Sequence, residues 1–346
     1  MSRPLRYTFR LLLSLAGLFV LTFVAAFVLI FLGDPEFPPS PAMSPEAMAA
    51  FAARYEQVYP SEERRFAMRD GTLLAGRLFP GESATTIVLV HGLLASSLEL
   101  NRPAGLLRDA TSASVLAIDL RGHGASGGAP GDVSYVGQYE DDLADLVARL
   151  RAGRPRGRVI LAGHSMGGGI ALSYALRPGV PPVDGYLLFA PYLGARSPTT
   201  PQEARPGEDA FLRLHLPRTL GLAWFNRFGI TGFNGLRTLF FNLPPELPLT
   251  AYSYRAMVGN APADLPRALA ALRRGGRPLL VIVGTEDEAF AADRYAEALG
   301  PERSALRLIE GAGHEGVMTD PRTRSEVRRW LGSGSGAAPS RSSTTL

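Results

Sequence analysis

The sequence predicts an α/β fold: a mostly parallel sheet with helices on both faces, interrupted by an inserted cap and preceded by one transmembrane helix. Three observations predict it. Short continuous apolar runs alternate with helical stretches, the pattern of strands buried on both faces of a parallel sheet. An uncharged run stands near the N-terminus. Almost ninety residues separate two of the strand runs, far more than a crossover needs.

The uncharged run extends from Leu11 to Leu32, 22 residues broken only by Ser14, Gly17 and Thr22. At about 1.5 Å per residue such a helix matches a hydrocarbon core of about 30 Å. Arg3, Arg6 and Arg10 precede it and Asp34 and Glu36 follow. The positive-inside rule then leaves the N-terminus in the cytoplasm and carries the remaining chain across the membrane. A cleaved signal peptide would have a shorter apolar region and a nearby small-residue site. Here Ala47-Met48-Ala49 lies far downstream and Pro35, Pro38, Pro39 and Pro41 crowd the nearer positions, so an uncleaved anchor is expected. The expected organisation is an anchor over 1–33, a Pro-rich linker and lead-in over 34–60, a folded α/β domain over 61–331 and a disordered tail over 332–346.

Within the domain, Arg65–Met68 and Thr72–Phe79 flank Asp70-Gly71, a hairpin signal. Thr86–Val90, Val115–Ile118, Val159–Ala162, Tyr186–Ala190, Leu279–Val283 and Ala305–Ile309 read as the remaining strands. Tyr139–Leu150 reads as a helix with Leu143, Leu146, Val147 and Leu150 on one face. The long interval supplies the cap at about 195–265, rich in Phe and placed over the sheet's C-terminal edge.

Composition narrows the function. The net charge is +4 and every basic residue is Arg. The densest basic stretch, Arg151 to Arg158, reads as a solvated loop, with anionic lipid headgroups as the alternative contact. No basic helix, aromatic-basic platform or zinc pattern points to nucleic acid. Cysteine is absent, which excludes disulfides and cysteine-ligated metals. No cofactor and no metal are expected, since no spacing makes His91, His123 and His164 converge.

Residues 163 to 167 read Gly-His-Ser-Met-Gly between a strand and the helix-like Gly168–Leu176. That is the strand-turn-helix a nucleophile elbow needs, because a sharp turn presenting Ser165 leaves no room for bulky Cβ groups beside it. A serine hydroxyl is a weak nucleophile until an imidazole removes its proton and a carboxylate fixes the tautomer of that imidazole. Gly284-Thr285-Glu286-Asp287 and Gly311-Ala312-Gly313-His314 each follow a strand, so Asp287 and His314 are the expected partners. Glu286 and Glu288 neighbour Asp287, and Asp264 is a weaker competitor that no strand delivers. An oxyanion needs two backbone N–H groups, expected from Met166 and from Leu93 in the loop His91-Gly92-Leu93-Leu94.

Together with Asp119-Leu120-Arg121-Gly122-His123-Gly124-Ala125-Ser126, these segments resemble the α/β-hydrolase superfamily. Within it the chain is most similar to the serine aminopeptidase, monoacylglycerol lipase and lysophospholipase-like group, over residues 62 to 331. The anchor and the Phe-rich cap depart from that pattern. The resemblance implies Ser-His-Asp hydrolysis but does not choose a substrate. With a membrane tether and an aromatic cap, the expected substrate is a carboxylic ester with a lipophilic part, small molecule or lipid. A peptidase or amidase is the rival enzymatic reading, and would draw its negative pocket from Glu203, Glu208, Asp209 and Glu246. A non-catalytic binding protein is the rival from another class.

Overall fold

The computed structural model describes residues 3–37, 45–201, 211–243 and 247–332. Pro38, Pro39, Pro41, the tail from 333 and the acidic residues Glu203, Glu208, Asp209 and Glu246 lie outside them. The chain divides into two compact units. The larger takes in 42–204 and 258–346; the smaller combines 1–41 with 205–257.

In chain order the elements are α1 (Arg3–Ile30), α2 (Pro45–Ala53), β1 (Glu62–Ala67), β2 (Leu73–Phe79), β3 (Thr85–Val90), α3 (Asn101–Thr111), β4 (Ser114–Ile118), α4 (Gln138–Gly153), β5 (Arg158–His164), α5 (Met166–Tyr174) and β6 (Gly185–Phe189). The insert contributes β7 (Leu212–Leu214), α6 (Leu216–Asn226), β8 (Arg237–Phe241) and β9 (Ala251–Ser253). α7 (Tyr254–Val258), α8 (Leu265–Arg274), β10 (Leu279–Gly284), α9 (Tyr295–Leu299), β11 (Leu306–Ile309) and α10 (Pro321–Gly332) complete the chain.

The larger unit holds an eight-stranded sheet in the order β1-β2-β4-β3-β5-β6-β10-β11. β1 and β2 pair antiparallel, β2 joins β4 antiparallel, and all other pairings are parallel. The hairpin turns at Gly71, whose φ of 82° is the left-handed conformation that favours glycine. β3, β4, β5 and β6 are buried almost throughout, which is why each reads as an unbroken apolar run. Ile87, Leu89, Val115, Ile160, Leu187 and Ile282 form the centre of the core beneath α3 and α10.

The smaller unit has a three-stranded antiparallel sheet, β7-β8-β9, and the helix pair α1 and α6. Phe225, Leu222 and Tyr254 close a core with Ala26 and Ile30 of α1. The aromatic residues of the insert therefore build a core of their own, and α1 is part of it. Gly221 makes the approach of the helices feasible: a Cβ there would lie 2.5 Å from the Ala26 carbonyl oxygen. The last carbonyls of α1 would otherwise be orphaned. Arg218 donates to that of Ile30 at 2.8 Å and, just past the helix, to the Leu32 carbonyl at 2.9 Å, and pairs with Asp34 at 2.6 Å. His215 Nε2 adds a bond of 2.9 Å to the Gly33 carbonyl.

Candidate active site

Parallel strands bring their C-terminal ends to one edge, and β3, β5, β10 and β11 each deliver a loop there. β5 ends at His164 and α5 begins at Met166, so Ser165 is the whole turn. Its φ of 51° and ψ of −117° are strained for a residue with a Cβ. The glycines around it are obligatory. A Cβ on Gly163 would come within 2.3 Å of the Gly167 carbonyl, and one on Gly167 within 2.4 Å of the Val90 carbonyl.

The loop after β3 lies against this turn: a Cβ on Gly92 would meet the Ser165 Cβ at 3.3 Å. Leu94 follows in a left-handed conformation, φ 60°. Among the described residues the main-chain N–H groups of Leu93 and Met166 donate to no protein acceptor, so both are available to a ligand.

Two further loops carry the ionisable pair. A Cβ on Gly284 would sit 1.9 Å from the Ala312 carbonyl, so only glycine lets these loops cross. Glu286 N–H donates to that same carbonyl at 3.0 Å, and Gly311 N–H donates to Thr285 Oγ1 at 2.8 Å. Across this junction His314 Nδ1 meets both carboxylate oxygens of Asp287, at 3.0 and 2.9 Å. The Asp287 side chain is fully buried and also accepts the Ala289 and Phe290 N–H groups at 2.9 Å. A carboxylate in this position accepts the Nδ1–H of His314, which fixes that tautomer and turns Nε2 into the proton acceptor. The Ser165 hydroxyl makes no hydrogen bond to His314 among the described residues; such contacts tighten when substrate binds.

Sequence reasoning missed how the backbone of His314 is held. Glu288, weighed there only as a rival to Asp287, accepts the His314 N–H at 2.9 Å. His164, considered there only as a metal ligand, donates from Nε2 to the His314 carbonyl at 3.0 Å, with the two rings 4.6 Å apart. Adjacency to Asp287 and to Ser165 was the only available signal. Burial lowers the pKa of His164 to about 4, so this donor stays neutral. Asp264 instead caps α8 by accepting the Arg267 N–H at 2.9 Å.

His91 and His123 brace the neighbouring loops. His91 Nδ1 donates to the Gly92 carbonyl at 2.8 Å while Nε2 accepts the Leu120 N–H at 3.1 Å. Its pKa is pushed down by burial, and that of His123 falls to about 3 through burial and then the nearby His91. Asp119 ties two loops together, accepting the Ser97 N–H at 2.5 Å and the Ala125 N–H at 3.0 Å. A Cβ on Gly124 would collide with that carboxylate at 2.5 Å.

The model of the alpha/beta hydrolase family matches residues 87–326. The chain belongs to that family. A monoacylglycerol lipase of Mycolicibacterium smegmatis is 29% identical over 63% of this chain and 77% of its own length. The sn-1-specific diacylglycerol lipase ABHD11 of Danio rerio is 36% identical over 29% of this chain and 30% of its own. Among solved structures, a monoacylglycerol lipase of Paleococcus ferrophilus superposes with a TM-score of 0.51 at 24% identity, over 76% of this chain and 98% of the other. A membrane phospholipase A gives 0.50 at 23% identity, over 98% and 100%. At these identities the structural matches establish the fold.

Proposed function

We propose that this α/β hydrolase is a membrane-tethered esterase of the lipase type that cleaves carboxylic esters through an acyl-enzyme on Ser165. In this reading Ser165 Oγ attacks the ester carbonyl while His314 Nε2 takes the hydroxyl proton. The Asp287 carboxylate holds the imidazolium that forms. The N–H groups of Leu93 and Met166 bind the oxyanion, and the following α5 adds its positive end. His314 then protonates the departing alkoxide. Water, deprotonated by the same ring, attacks the acyl-enzyme and restores the hydroxyl.

The observation that carries the reading is the buried Asp287–His314 pair, at 2.9 Å, on the same sheet edge as the strained turn at Ser165. A lipophilic ester, acylglycerol- or lysophospholipid-like, is favoured by the monoacylglycerol and diacylglycerol lipases among the relatives. It is favoured as well by the apolar α1, read here as an uncleaved anchor with its N-terminus in the cytoplasm and the catalytic unit across the membrane.

The test is turnover of p-nitrophenyl acyl esters of graded chain length beside aminoacyl anilides, using the full chain in detergent. Ester hydrolysis that rises with acyl length and far exceeds anilide cleavage is expected. Faster anilide cleavage would instead support a peptidase, and no turnover of either would leave a binding protein on a hydrolase scaffold.

A further inference from the structure

α6 does not merely touch α1; it runs back along it. Its first turn lies at the end of α1, where Arg218 binds the Ile30 and Leu32 carbonyls. One turn later Gly221 abuts Ala26. Trp224 and Phe225 then pack on Phe23, with ring centres 6.2 and 5.7 Å apart. Phe228 reaches Phe19 at 5.5 Å and Phe23 at 5.0 Å. From Ile30 to Phe19 is eleven residues, about 16 Å along the helix.

That depth has a consequence if α1 spans a bilayer, the reading proposed above and the one this inference rests on. The shortest usual span is about 17 residues. Counted from Tyr7, such a span ends at Phe23, and any longer or later placement still contains Phe19. Whatever packs on Phe19 and Phe23 therefore lies at their depth.

The tip of the insert is built for that place. α6 ends in a Schellman turn, with Ile230 N–H donating to the Phe225 carbonyl at 3.1 Å, Gly229 N–H to that of Asn226 at 3.0 Å, and Gly229 at φ 75°. The turn presents Phe228 and Ile230 outward, 43% and 39% exposed, and Leu216 and Leu220 line α6 behind them. Asn226 and Asn234 close their amides on each other at 2.6 and 2.8 Å, which suits a medium that offers no hydrogen bonds. Residues 211 to 243 contain no acidic residue, and outside the buried Arg218 clamp they carry Arg213, Arg227 and Arg237, a charge complementary to anionic headgroups. Arg227 is exposed beside the tip and sets the depth. Its guanidinium has to snorkel to phosphate, so α1 sits with about Tyr7 to Phe23 in the hydrocarbon rather than Leu11 to Leu32. Arg10 snorkels to the opposite phosphates, and the end of the uncharged run, where Ala26 and Ile30 are buried against the insert, lies beyond the acyl chains.

We propose that the α6 tip, Arg227 to Ile230, inserts into the bilayer leaflet from which α1 emerges, with Phe228 and Ile230 among the acyl chains and Arg227 at the phosphates. The anchor and the insert are then one membrane-binding element.

The native chain has no cysteine, so single cysteines report position without background. Ile230→Cys, Leu220→Cys and, as a control on the exposed face of α3, Arg102→Cys would carry an environment-sensitive nitrobenzoxadiazole label. The full chain is reconstituted in vesicles of phosphatidylcholine with phosphatidylglycerol. The label at 230 is expected to emit at shorter wavelength and to be quenched several-fold more by acyl-chain nitroxide lipids than the labels at 220 and 102. Equal emission and equal quenching at all three positions, in a chain that resists alkaline carbonate extraction, would overturn the proposal while sparing the anchor. Loss of the chain from the vesicles on carbonate washing would overturn the anchor reading and this proposal with it.

Discussion

The rim of the sheet and the α1–insert unit are assembled by opposite means. At the rim, every group of interest stands within a few residues of a strand end, and glycine positions decide the geometry. Gly163, Gly167 and Gly284 are places where a single Cβ would strike backbone at 2.4 Å or less. In the other unit the decisive contacts join residues nearly two hundred positions apart, such as Arg218 with Asp34 and Ile30, and the chemistry is burial and hydrogen bonding rather than a strained turn. The lesson is that a site which must be strained leaves a local signature, whereas one that must merely be filled does not.

The two regions should therefore fail differently. Ser165→Ala is expected to lower turnover of a p-nitrophenyl ester about a millionfold while leaving thermal unfolding unchanged; a residual rate within tenfold of wild type breaks the assignment. Asp287→Asn should cost about ten-thousandfold in kcat by admitting the wrong tautomer of His314, measured on the same substrate. Arg218→Ala should do the reverse, lowering the stability of the full chain in detergent by about 3 kcal/mol because buried carbonyls and Asp34 lose a shared donor. Arg218→Lys should recover only part of that loss, since an ammonium lacks the fork. Equal denaturation midpoints for all three proteins would remove the clamp from the account.

A smaller effect lies in α4. Glu140 is buried, its Oε2 has no hydrogen-bond partner, and burial raises its pKa to about 7. In the unfolded chain it ionises near its ordinary value, so between about pH 4.5 and 7 the folded state holds the extra proton and stability falls as pH rises. Glu140→Gln should abolish that fall and stabilise the protein at pH 8 by about 2 kcal/mol, with little change at pH 4. Parallel pH–stability curves for the two proteins would contradict it.

The amino-acid pattern revealed the sheet because its strands are buried on both sides, and it revealed Ser165, Asp287 and His314 as candidates because each follows a strand through glycine. It was silent where one residue type serves two masters. Glu288 and Asp287 are both acidic residues in one loop, and only coordinates separate the one that meets the ring from the one that holds the main chain. His164 stands beside the serine with nothing in the sequence to give it a partner, and its ring grips the His314 carbonyl. The Phe-rich insert gave an aromatic count but not its partner, because an apolar helix bound for lipid and one bound for protein share a composition.

The most direct test of the central claim is to find which residue becomes covalently modified. After fluorophosphonate treatment of the full chain, peptide mass spectrometry should place one adduct on Ser165, and Ser165→Ala should take up none. An adduct on a different serine, or ester turnover that persists in a chain the reagent does not modify, would contradict the account.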